Sequence, residues 1–194
     1  MFYWTVRFLL AVASVFVYRI KVSGTENIPQ NGAFILCSNH IHSYDPAILA
    51  IVIKRQLRFM AKKELFRWKL KGGFFRAMGA FPVDRQSTDL TSYRIAMASL
   101  KADMGLVIFS QGTRVQELDI KAAKGGVAFF AVKSKSPIIP VGISGSYRIF
   151  STLNVHFGKA ITLEKYYDER LKSELIDDIM AEVMSEVDKL IVRS

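Results

Sequence analysis

Short apolar runs alternate along this chain with longer segments whose apolar positions follow helical spacing. Ala33–Cys37, Leu57–Ala61, Gly105–Phe109, Ile138–Ile143 and Asn154–Phe157 are brief, apolar and bounded by Gly, Pro or charged residues, as strands covered on both faces are. Pro46–Ile53, Asp89–Lys101, Lys124–Ser134 and about Asp168–Val192 read as helices. The last of these places Leu171, Leu175, Ile179, Val183, Val187 and Leu190 on one stripe, with acids opposite, the pattern of a helix packed on a core. Alternation of strand and helix predicts an α/β fold: a single domain with a mixed, largely parallel sheet flanked by helices.

The first residues break this rhythm. Met1–Tyr18 carries one charged residue, Arg7, and runs 11 residues from Phe8 to Tyr18 without another. A membrane span needs about 20 apolar residues, so this segment is too short to cross. Phe2, Tyr3, Trp4 and Tyr18 are the aromatics that settle at headgroup level. The segment therefore predicts a membrane-associating helix over residues 1–20, ahead of a single α/β domain over 21–194. An ordinary first helix packed on the core is the alternative. Ala11-Val-Ala13 has the look of a signal-peptidase site, but the stretch before it lacks both the charge and the length of a signal peptide.

Composition narrows the classes. With 51% hydrophobic and 23% charged residues over 194 positions, the chain is a globular domain and not a disordered one. A single cysteine, Cys37, excludes an intrachain disulfide and a multi-cysteine zinc site. The net charge of +10 is unevenly spread: residues 164–194 hold nine acids against five bases, leaving 22 bases and eight acids in the rest. A body that basic points to an anionic partner. Lys54–Arg76 concentrates nine basic residues opposed only by Glu64, with Phe59, Phe66, Trp68, Phe74 and Phe75 between them. Such a mixture fits a membrane surface or single-stranded nucleic acid. The oily N-terminus favours the membrane and argues against nucleic acid.

Candidate chemistry sits where apolar strands end. Asn39-His40-Ile41-His42-Ser43-Tyr44-Asp45-Pro46 follows the strand Ala33–Cys37. A histidine and a carboxylate at such a turn can pair, one ring nitrogen held by Asp45 and the other left as a general base. Pro46 at the first helical position would make Asp45 a helix N-cap. Taking His40, His42 and Asp45 as metal ligands is the rival reading, but the one other histidine, His156, is isolated and the ligand set is too small for a hydrolytic site. Ser110-Gln111-Gly112-Thr113-Arg114 follows the strand Gly105–Phe109, and a Gly-Thr-Arg turn offers backbone N–H groups, a hydroxyl and a guanidinium to a phosphate. Arg85, at the end of Gly79-Ala80-Phe81-Pro82-Val83-Asp84-Arg85, supplies a second arm. Cys37 lies inside a strand, and no G-x-S-x-G elbow is present, so neither offers a convincing nucleophile.

In this order, Asn39–Asp45, Gly79–Arg85, Phe109–Arg114 and the proline-containing Ile138–Val141 resemble the glycerolipid acyltransferase family, with its N-H-x-x-x-x-D, G-x-F-x-x-x-R, F-P-E-G-T-R and V-P-V motifs. The resemblance covers about residues 20–145. It implies transfer of a fatty acyl group from acyl-CoA or acyl carrier protein to the hydroxyl of lysophosphatidic acid, giving phosphatidic acid. His40 would be the base and Asp45 its orienting partner. Arg85, Thr113 and Arg114 would bind the acceptor phosphate, with Lys62 a less direct addition, and Gln111 and Gly112 would belong to the same substrate-binding set. No metal or tightly bound cofactor is implied, and the enzyme would lie on the cytoplasmic face of the cell membrane, peripheral or monotopic. One departure stands out: the family's Pro-Glu is Ser110-Gln111 here. Gln111 keeps hydrogen-bonding capacity without charge, which leaves another lysophospholipid or glycerol 3-phosphate open as acceptor. From another class, a non-catalytic basic module binding membrane or nucleic acid would explain the charge but not the ordered motifs.

Overall fold

The computed structural model describes residues 2–84, 89–110 and 125–193. These form one seven-stranded sheet between two helical layers. The strands are β1 (Arg19–Ser23), β2 (Phe34–Ser38), β3 (Leu57–Lys62), β4 (Ala80–Val83), β5 (Gly105–Phe109), β6 (Ile138–Gly145) and β7 (Thr152–Phe157), in the order β1-β7-β6-β2-β5-β3-β4. Every neighbouring pair is parallel except β6 with β7. The helices are α1 (Phe2–Val17), α2 (Asp45–Val52), α3 (Lys69–Ala77), α4 (Leu90–Lys101), α5 (Gly126–Ser134) and α6 (Ser173–Lys189).

The central strand explains the layering. All five residues of β2 are buried. Ile35 and Cys37 pack with α4, α5 and α6 through Ala96, Leu100, Val127, Ala131, Val183 and Met184. Phe34 and Leu36 pack on the other face with Ile48, Leu49 and Ile53 of the α2 segment. A strand covered on both faces needs apolar residues at every position, which is why this one is legible as a continuous run. Because β2 to β6 are mutually parallel, their carboxyl ends share one edge of the sheet. The turn from β6 into β7 lies at that same edge, a consequence of the one antiparallel pair.

Three elements escape the sequence expectation. β1 is an edge strand with one half-buried and four exposed residues. β4 is four residues long and contains Pro82. α3 runs through Gly72-Gly73, residues that oppose helix, within the basic, aromatic stretch.

The N-terminal segment is a helix, as expected, and its two sides differ. Tyr3 is 6% exposed, and its hydroxyl accepts from the Leu57 amide. Arg7 is partly buried: its Nε and Nη2 donate to the carbonyls of Ala50 and Ile51, at 2.7 and 2.8 Å. Those carbonyls belong to the last turn of α2, where acceptors lack helical partners and a cation is favoured. On the other side Phe2, Trp4, Phe8, Leu9, Val12 and Phe16 are exposed. No described helix is long and apolar enough to cross a membrane.

Candidate active site

The site begins where β2 ends. Asn39 is buried, and its side-chain amide bridges to β6: Nδ2 donates to the Ile143 carbonyl at 2.7 Å and Oδ1 accepts from the Ile143 amide at 2.8 Å. The amide thus continues the strand ladder by one side chain and fixes where the next residue leaves the sheet. That residue is His40. Its ring stacks on Phe109 at the end of the neighbouring β5, with centroids 4.1 Å apart and planes 24° from parallel.

His40 Nδ1 lies 2.6 Å from Asp45 Oδ2. The carboxylate is fully buried while the His40 side chain keeps 17% of its surface exposed. Asp45 does not cap α2, contrary to the sequence expectation. It is the first residue of that helix, after Tyr44, and its side chain turns back: Oδ2 also accepts from the Ile41 and His42 amides, each at 2.8 Å. Oδ1 accepts from the Tyr147 hydroxyl at 2.5 Å. With donors converging on the carboxylate, the imidazole proton belongs on Nδ1, and Nε2 is left with its lone pair. The pair is thereby arranged to take a proton at Nε2 and to stabilise the resulting imidazolium.

Cys37, one residue from the end of β2, is no rival nucleophile. Burial pushes its thiol up to about 12, and its Sγ faces Met184 Sδ at 3.9 Å. A thiol kept neutral and enclosed is inert. Among the described residues, no three His, Cys, Asp or Glu side chains gather as a metal site; His42 instead stacks on Tyr147, with centroids 4.2 Å apart.

Lys62 is exposed at the carboxyl end of β3, on the same sheet edge as His40. Arg85, Gln111, Gly112, Thr113 and Arg114 lie outside the described residues. The strand before Gln111 ends at Phe109, and the buried Ser110 donates its amide to the Ser38 carbonyl at 3.3 Å. The residues flanking 85–88 are tied together: the Asp84 amide donates to Asp89 Oδ2 at 2.9 Å. Asp89 also caps α4 through the Ser92 amide, and these backbone donors hold its carboxyl below the usual range.

A protein-family model described as Acyltransferase matches residues 19–144, more than half of the chain and all the geometry above from Asn39 to Ile143. The chain belongs to the acyltransferase family. A 1-acyl-sn-glycerol-3-phosphate acyltransferase of Bacillus subtilis (strain 168) is 34% identical over 127 residues, covering 65% of this chain and 63% of the relative. One from Streptococcus pneumoniae is 30% identical over 174 residues, covering 86% and 64%. The chain thus spans just under two thirds of the length of these curated relatives. Its fold is that of the crystal structure of the 1-acyl-sn-glycerophosphate (LPA) acyltransferase PlsC from Thermotoga maritima, with a TM-score of 0.72 at 21% identity, over 97% of this chain and 79% of that one. The structure brings together His40 and Asp45, which the sequence pairs by spacing, and adds Tyr147, which is 102 residues from Asp45 and carries no local signature. The spacing assigns no role to Asn39.

Proposed function

We propose that the chain transfers a fatty acyl group from an acyl thioester to the free hydroxyl of lysophosphatidic acid. The observation that carries this reading is His40, partly exposed and hydrogen-bonded through Nδ1 to a fully buried carboxylate, in a chain of the acyltransferase family. In the proposed step, Nε2 of His40 removes the hydroxyl proton as the oxygen attacks the thioester carbonyl. The tetrahedral adduct collapses with loss of the thiolate, which takes the proton back from the imidazolium. The new ester and a free thiol balance the hydroxyl and thioester consumed. No acyl-enzyme forms, and no metal or bound cofactor takes part. Asp45 holds the ring and offsets its positive charge. Arg85, Gly112, Thr113 and Arg114, with Lys62, are proposed to meet the acceptor's phosphate, and Gln111 to set which acceptor fits.

The test is transfer by purified protein from acyl-CoA and from acyl carrier protein, with lysophosphatidic acid beside other lysophospholipids and glycerol 3-phosphate. Transfer to lysophosphatidic acid is expected. Transfer to another acceptor alone would keep the chemistry and move the specificity to Gln111, where the sequence departs from the family motif. No transfer to any of them, by folded protein, would overturn the reading.

We further propose a peripheral or monotopic seat on the cytoplasmic face of the membrane. The exposed side of α1 meets α3 through an edge-to-face contact of Phe2 with Phe74, at 6.5 Å. Beside it Leu65, Trp68, Leu70, Phe74 and Phe75 line an open groove of about 700 Å³. Leu70 is 91% and Trp68 72% exposed, among the exposed cations Arg67, Lys69 and Lys71. Each apolar side chain moved from water into lipid contributes about 1.5–3 kcal/mol, or roughly tenfold in partitioning. The triple variant Phe8→Ser, Trp68→Ser, Leu70→Ser is therefore expected to lose about a hundredfold or more in binding to anionic vesicles. Wild type is expected to stay bound at about 0.5 M salt, where surface charge is screened. Equal sedimentation of the two proteins would remove this surface from the proposal.

A further inference from the structure

We propose that Tyr147 is a positioning residue, which locks the Asp45 carboxylate and through it sets the His40 ring for proton transfer. The inference rests on the reading of His40 as the base and adds a residue that the sequence motifs do not contain.

Asp45 Oδ2 has three donors, the His40 ring and the amides of Ile41 and His42. All come from its own loop, and all reach one oxygen. They place that oxygen but leave the carboxylate free to pivot about it. Asp45 is 0% exposed, so water cannot serve Oδ1, and a buried carboxylate oxygen without a donor is costly. The Tyr147 hydroxyl fills this role from the β6–β7 turn, across the sheet edge, at 2.5 Å. Bound at both oxygens from two independent elements, the carboxylate keeps one orientation, with Oδ2 toward His40 Nδ1.

Tyr147 is itself held. One face stacks on His42, with centroids 4.2 Å apart and planes 19° from parallel, and Tyr18 meets it edge-on at 5.7 Å. Burial and the adjacent Asp45 carboxylate push its phenol far above the usual range. The hydroxyl therefore remains protonated and donates. These ring contacts do not involve the hydroxyl, so Tyr147→Phe keeps the packing and deletes the donor alone.

The experiment compares wild type, Tyr147→Phe and His40→Ala in the transfer assay, with acyl-CoA and lysophosphatidic acid as probes. It is paired with nitrogen NMR of protein labelled in its three histidines. Tyr147→Phe is expected to lower kcat about tenfold with KM changed by less than about twofold, the size of effect seen when a supporting hydrogen bond is removed from behind a reacting group. In the spectra, His40 is expected to carry its neutral-state proton on Nδ1 in wild type and to become a mixture of tautomers in Tyr147→Phe. An unchanged kcat in Tyr147→Phe, with His40→Ala inactive, would overturn the role of Tyr147 and leave the base in place. A fall in kcat with the His40 tautomer unmoved would also overturn it, because Tyr147 would then act through substrate or fold. Full activity of His40→Ala would overturn the base itself, and this inference with it.

Discussion

Replacing His40 with alanine is expected to lower kcat about a thousandfold, within the range that a positioned general base contributes. KM should change little, because the ring is proposed to act on the hydroxyl proton and not to bind the phosphate. The fold should survive. Asp45 keeps the amides of Ile41 and His42 on Oδ2 and the Tyr147 hydroxyl on Oδ1, so no buried carboxylate is stranded. The measurement is single-substrate kinetics of wild type and variant beside their thermal unfolding. Full turnover by a well-folded His40→Ala protein would end the proposed mechanism.

The second large effect is on stability. Gly79→Ala is expected to cost about 3 kcal/mol or more. Gly79 has φ +85°, and a Cβ built there would lie 2.4 Å from the Leu57 carbonyl oxygen. A side chain in that backbone region costs about 1–2 kcal/mol before any clash, and here the obstacle is backbone that cannot step aside. The Gly79 carbonyl also accepts from the Phe59 amide, so relief of the clash pulls β4 away from β3. A loss of that size corresponds to roughly 6–12 °C in Tm for a domain of this length. Gly73→Ala is the control: a Cβ there meets nothing within 4 Å, and in α3 alanine is the better helix former. A Gly79→Ala protein that melts with wild type would show that this turn relaxes freely. The opening glycine of Gly79–Arg85 is thus explained as backbone geometry that lets the chain turn into β4.

Which features could be read from sequence follows from how local their causes are. β2 and β5 are visible because each is buried on both faces and is apolar at nearly every position. β1 is invisible because an edge strand with four exposed residues looks like a loop. α3 is hidden by Gly72-Gly73 and by charges that suit a surface of any kind. At the site, His40 and Asp45 are five residues apart, a spacing one turn imposes, so the pair can be proposed from the chain alone. The capping expectation for Asp45 erred because Pro46 signals a helix start without fixing where the preceding carboxylate points. Asn39 and Ile143 are 104 residues apart, and Tyr147 and Asp45 102. Those contacts exist only because β6 lies beside β2 and turns at the same edge, which no spacing within one segment reveals.

The Arg7 contacts to α2 bear on movement. The guanidinium joins α1, whose outer side carries the exposed aromatics, to the far end of the helix that begins with Asp45. Tyr3 adds a second tie, to the start of β3. These contacts couple the proposed lipid-facing helix directly to the helix that bears the carboxylate. Under the proposed docking, the depth to which α1 settles fixes the altitude of His40 above the bilayer. The proposed base would then move with α1 as one body, so that how deeply the helix settles decides how far an acceptor lipid must travel to reach it.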